Sequence, residues 1–125
     1  QALEKHGGVY VGFKRYSSIA KGFALGFDEG NLNDGFVKLI TDKNFKILGA
    51  HIAGHQASVL IQPYVYLMNA GCSCVIPNTR NFNETDNDNC PDYGTVKPIG
   101  DSMVIHPALS ELTAWVISQM RWVEK

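Results

Sequence analysis

Cysteine is scarce in this chain: three among 125 residues, Cys72, Cys74 and Cys90. An odd number so sparsely used does not build the disulfide framework of a small secreted domain, and the chain reads as cytoplasmic. An excess of charge is lacking too. Eleven Lys and Arg stand against twelve Asp and Glu, for a net charge of −1, and the basic residues are scattered. That argues against nucleic acid or an anionic membrane as the main partner. No apolar run reaches the roughly 18 residues that cross a bilayer, and residues 1–10 carry no signal-peptide pattern. What is present is 45% hydrophobic residue in a length that suits one globular domain over 1–125. The chain begins without Met inside what reads as an element, so it is expected to be a piece of a longer polypeptide.

Hydrophobic periodicity sets out the elements. Residues 9–18 alternate Val9, Val11 and Phe13 against Tyr10, Lys14 and Tyr16, a strand pattern. "GFALGFD", apolar and punctuated by glycine, predicts a second strand or a bulged edge. Residues 34–41 and 46–54 read as two strong strands joined by the tight turn "DKNF", a β-hairpin of an antiparallel sheet. After Gly54 the period changes. Leu60, Tyr64, Leu67 and Met68 fall on one helical stripe, with Pro63 kinking the helix and Gly71 stopping it. A polar Asn- and Asp-rich stretch from residue 78 to 94 reads as a long exposed loop. A closing helix is expected from the stripe Leu109, Leu112, Val116, Met120 and Val123. The sum is an α+β fold, an antiparallel β-sheet with helices packed on it.

Four features could carry chemistry. Cys72, Cys74 and Cys90 with one histidine could ligate zinc, but Cys-x-Cys is tighter than the usual spacing, and three unrelated thiols is the favoured reading. Asp86, Asp88 and Asp92 hint at a calcium loop, yet Pro91 replaces the turn glycine and Lys97 the bidentate glutamate. A solvated acidic loop fits better, so no metal ligands are assigned. Asn83-Glu84-Thr85 is a glycosylation sequon, meaningful only in a secreted protein.

The fourth feature is "IHPALSE". Residues five apart on an unbroken helix point about 140° away from each other. His106 and Glu111 therefore meet only if His106 lies outside the helix and the chain turns back. Pro107 favours that, because it disfavours helical geometry at the residue before it. A carboxylate on one imidazole nitrogen would fix the tautomer and leave the other free to exchange protons. That is the orienter and base of a catalytic set without its nucleophile.

"GFVKLITDKNFKILGAHIAGHQASVLIQ" followed by "IHPALSE" resembles the C-terminal dimerisation domain of the flavin-dependent pyridine nucleotide–disulfide oxidoreductases. The resemblance runs from about Tyr10 to Trp115 and is nearest to the dihydrolipoamide dehydrogenases. Mycothione reductases and uncharacterised relatives remain alternative readings, and mercuric reductases resemble this domain but end in a cysteine pair that "RWVEK" lacks. It implies that His106 is the acid–base partner of a reactive thiolate and that Glu111 orients it. It implies also that the His106-Pro107 backbone faces the flavin of the other subunit. FAD, NAD(P) and a homodimer partner belong to the full-length enzyme that this implies. The family's Gly-x-Gly-x-x-Gly phosphate loop and redox Cys-x4-Cys are absent from these residues, so the flavin and NAD domains are expected elsewhere in the polypeptide. The chain alone is then expected to hold no cofactor and no activity. The segment 71–101 is longer than the family's usual link. Two other readings stay open: a stand-alone dimerising or metal-binding module that uses the cysteines, and a structural interface domain with an idle His106.

Overall fold

The computed structural model of the chain describes residues 1–28, 30, 33–69 and 94–125. Gly71, the three cysteines, the Asp86–Asp92 stretch and the sequon, each singled out above, lie outside the described residues. The first helix, α1 (Ala2–His6), leads through Gly7 into β1 (Gly8–Arg15). A 3₁₀ turn (Tyr16–Ser18) and α2 (Ala20–Ala24) follow, then the hairpin of β2 (Phe36–Thr41) and β3 (Ile47–Ala53). After it come α3 (Ala57–Leu60) and α4 (Gln62–Asn69). Beyond the undescribed stretch lie α5 (Lys97–Gly100), α6 (Glu111–Trp115), a 3₁₀ turn (Ile117–Gln119) and β4 (Arg121–Glu124).

The sheet is antiparallel, with strand order β3-β2-β1-β4. Every second residue of β2 faces inward: Val37, Leu39 and Thr41 are fully buried. Opposite Val37 and Leu39 stand Lys14 and Gly12 of β1, so one sheet face carries the core. On that face Tyr64, Leu112 and Val116 from the helices complete the core with Tyr16, Ile19 and Leu60. The hairpin turn is built by Asp42, whose carboxylate accepts from the Asn44 and Lys46 amides at 2.8 and 2.9 Å, an Asx-type closure.

Gly12 sets how close the last helical turn sits to the sheet. A Cβ there would come 2.5 Å from the Val116 carbonyl oxygen, a backbone atom that cannot rotate away. Gly12→Ala is therefore expected to destabilise the fold by about 1–3 kcal/mol, the usual cost of overpacking. Urea unfolding of the two proteins measures it, and equal midpoints would show that the approach is slack.

Three expectations need correction. "GFALGFD" is not a strand: residues 20–24 form α2, held by Phe23 N–H to the Ile19 carbonyl at 3.0 Å and Leu25 N–H to Lys21 at 3.1 Å. A short apolar run does not separate helix from strand by period, and here Phe23 and Leu25 stay exposed rather than alternating into a core. The helix after Gly54 is broken rather than kinked. Pro63 has no amide hydrogen and its ring crowds the carbonyl four residues back, so α3 ends at Leu60 and α4 restarts at Gln62. Leu60 and Tyr64 are buried as the stripe requires, whereas Met68 is 46% exposed. The closing helix stops at Trp115, and residues 121–124 pair with β1 as β4, with Val9 opposite Val123. Leu109, Leu112 and Val116 do face the core, but Val123 sits exposed on a strand. The unpaired edge of β1 needed a partner, and "RWVE" has the residues to serve as one.

Candidate functional site

The site is built on the approach to α6. His106 and Pro107 lie outside any helix and are exposed, and the bond between them is cis. The chain then turns over Ala108–Ser110 into α6, whose first residue is Glu111. The turn is tight: the Glu111 amide donates to the Ala108 carbonyl at 3.3 Å, and Leu112 to Leu109 at 3.0 Å. This reversal brings together two residues that a continuous helix would hold apart.

Glu111 is only 1% exposed, yet both carboxylate oxygens are used. Oε1 lies 2.7 Å from His106 Nδ1. Oε2 accepts from the Ala108 amide at 3.0 Å. Because a carboxylate only accepts, Nδ1 carries the hydrogen, which fixes the tautomer and leaves Nε2 as the working nitrogen. The His106 side chain is 60% exposed, so that edge faces outward from the chain. Burial pushes the Glu111 carboxyl up, but the His106 hydrogen bond, the Ala108 amide and the charge of His106 outweigh it and hold it below the usual carboxylate range.

That direction fixes a pH dependence. A carboxyl depressed by folding contributes stability above its unfolded value, about 4.3, and loses it as pH falls through the folded value. The stability gap between wild type and Glu111→Gln is thus expected to be full at neutral pH and to shrink below pH 4. Urea unfolding between pH 2 and 7 measures it; a constant gap would contradict the ionised, paired Glu111.

The structure brings His106 and Glu111 together, with Pro107 beside them. It also supplies a contact missed in the sequence, the Ala108 amide. Glutamate three residues after the turn residue it holds is the spacing of half a capping box, a signal present in "ALSE" but masked by the absent Ser or Thr. Among the described residues no three His, Cys, Asp or Glu side chains gather as a metal site. None of the described helices is long and apolar enough to cross a membrane.

A dinucleotide needs a turn whose backbone amides cradle phosphate. Such a glycine-rich turn is lacking in the sequence, and what the site offers a flavin is an exposed His106-Pro107 edge. An edge of that kind is no phosphate cradle, so these residues alone would not hold the dinucleotide. Next to the pair, α4, α5, residues 102–105 and α6 wall an open, largely apolar groove of about 470 Å³. On its rim Met103 is 97% exposed, Ile105 77% and Tyr66 67%.

The family model described as "Pyridine nucleotide-disulphide oxidoreductase, dimerisation domain" matches residues 1–77. That stretch holds β1, the β2–β3 hairpin and α4, and ends before His106. Mycothione reductases of two Mycobacterium tuberculosis strains, CDC 1551 / Oshkosh and ATCC 25618 / H37Rv, are each 40% identical to the chain over 72 residues. The match takes in 57% of this chain and 15% of each relative, so the chain spans a small part of their length.

Proposed function

The chain belongs to the dimerisation-domain family of the pyridine nucleotide–disulphide oxidoreductases, and from that premise we propose that it supplies the acid–base pair of a flavin-dependent disulfide reductase to the active site of a partner subunit. The observation that carries this reading is the pair itself: a buried carboxylate 2.7 Å from the Nδ1 of an exposed imidazole. When bound by the rest of such an enzyme, the flavin would pass electrons between NAD(P)H and a redox disulfide. The residues here move protons only. As an enzyme thiolate attacks a substrate disulfide, one S–S bond breaks and the leaving thiolate takes the proton from His106 Nε2. In the reverse direction Nε2 takes the proton from the attacking dithiol. Glu111 holds the ring in one tautomer through both steps and stays ionised.

The substrate follows less from the pair than from the likeness. Lipoamide, the disulfide form of dihydrolipoamide, is one substrate that the "IHPALSE" motif suits. The two mycothione reductases favour instead a small disulfide of the mycothione kind. Assays of the full-length enzyme with mycothione and lipoamide separate the two. Mycothione is expected to give the higher kcat/KM, and a tenfold preference for lipoamide would reverse the assignment.

A dimerising domain must also bury a surface. The apolar groove beside α4, with Met103 and Ile105 standing out from it, suits a second copy of the chain. Concentration-dependent dimerisation at micromolar levels is expected in sedimentation velocity. Met103→Glu and Ile105→Glu should each weaken it by on the order of tenfold, about 1.4 kcal/mol. A strictly monomeric wild type at high concentration would count against this surface.

A further inference from the structure

We propose that Tyr64 is a positioning residue for the His106–Glu111 pair, acting through the Thr113 carbonyl. The inference rests on the acid–base reading above and extends it to a residue on another element. Tyr64 is fully buried, and its hydroxyl donates to the backbone oxygen of Thr113 at 2.6 Å. Thr113 is two residues from Glu111, in the same helical turn.

That turn has little of its own to hold it. α6 is five residues long and passes directly into a 3₁₀ turn at Ile117. A helix this short is not self-supporting, and the carbonyls of its last turn need partners from elsewhere. Leu112 keeps the ordinary helical bond from the Val116 amide at 3.2 Å, whereas Trp115 accepts from the Ser118 hydroxyl at 2.7 Å. For Thr113 the partner is Tyr64. The N-terminal side of the same turn is tied by Thr113 itself, whose amide and hydroxyl both donate to the Ser110 carbonyl, at 3.1 and 2.7 Å. Thr113 is thus fixed to the turn that carries Glu111 on one side and to α4 on the other.

The far anchor is firm. α4 packs on β3, the outer strand of the hairpin. Pro63, which breaks the helix one residue earlier, starts α4 afresh and fixes the backbone from which Tyr64 projects. The path therefore runs from the sheet through α4, Tyr64 and Thr113 to Glu111, and from Glu111 to the imidazole. Burial raises the Tyr64 phenol well above its ordinary value, so the hydroxyl remains a donor across the working pH range. A carboxylate misplaced by an ångström or less is enough to lower turnover while substrate binding, made elsewhere, is untouched.

Tyr64→Phe removes one oxygen and keeps the ring. In the intact flavoenzyme dimer it is expected to lower kcat by on the order of tenfold with KM for the disulfide unchanged. In ¹⁵N-histidine-labelled protein, the Nδ1-bound proton of His106 should exchange with water faster than in wild type. Tyr10→Phe, on β1 and stacked on Phe45 away from both the pair and the groove, should match wild type in both readouts. An unchanged Nδ1 proton in Tyr64→Phe would overturn the proposal, and so would unchanged turnover in that variant beside a crippled His106→Gln. Faster Nδ1 exchange together with wild-type turnover in both Tyr64→Phe and His106→Gln would uphold the positioning and instead sink the acid–base reading on which it rests.

Discussion

His106→Gln in the full-length flavoenzyme is expected to reduce turnover of a dithiol or disulfide substrate by about 10²–10⁴-fold, the range for a positioned general acid–base group. Glutamine keeps roughly the length of the side chain and can still donate to Glu111, so the turn over Ala108 should survive. What it cannot do is carry a proton at the outward-facing nitrogen. Flavin content and dimer mass should therefore match wild type, and the loss should lie in kcat. Glu111→Gln should cost less, on the order of tenfold. Its amide has one oxygen where the carboxylate has two, and two donors already face it: His106 Nδ1–H and the Ala108 amide. One of them must lose its acceptor and meet an NH₂ group instead. The base remains but is held less well. Steady-state kinetics of the two variants check the order; Glu111→Gln slower than His106→Gln would mean that the carboxylate does more than aim the ring.

The second large effect is total. The 125-residue chain on its own is expected to bind no flavin and to reduce no disulfide. Electron transfer from a nicotinamide needs a bound flavin, and a flavin dinucleotide needs a phosphate cradle of the Gly-x-Gly-x-x-Gly kind. The twelve glycines of this chain nowhere fall in that pattern. The redox thiol pair is missing as well, since Cys72, Cys74 and Cys90 offer no Cys-x4-Cys. A pair that moves protons has no thiolate to serve. Absorbance of the purified chain near 450 nm and an NADH-coupled disulfide assay test this. Stoichiometric flavin, or turnover above background, would contradict it.

The hairpin and the His–Glu pair were legible in the sequence because both are local. Asp42 and Lys46 lie within one turn, and His106 and Glu111 within one reversal that Pro107 favours. β4 was not legible, because Leu109, Leu112, Val116, Met120 and Val123 keep a helical spacing to the end of the chain. What turns residues 121–124 into a strand is the open edge of β1, more than a hundred residues away in sequence. The hydrogen bond from Tyr64 to Thr113 spans 49 residues and was equally hidden, since a tyrosine on an apolar stripe reads as core. α2 failed for a different reason: its short apolar run fits two periods, and Gly22 settles the matter by packing against the Tyr16 carbonyl, where a Cβ would come within 1.8 Å.

The central claim is that His106 serves a site on the other subunit. Its most direct test is a mixed dimer in the full-length enzyme, with one subunit carrying His106→Gln and the other lacking its redox thiol pair. Each homodimer is inactive or nearly so. If the pair works across the interface, the mixed dimer joins the intact thiols of one subunit to the intact His106 of the other and regains one working site, about half the wild-type turnover per dimer. If it works within its own subunit, the purified mixed dimer stays as inactive as its parents, and if it does not act at all, the His106→Gln homodimer is itself active; either result contradicts the account.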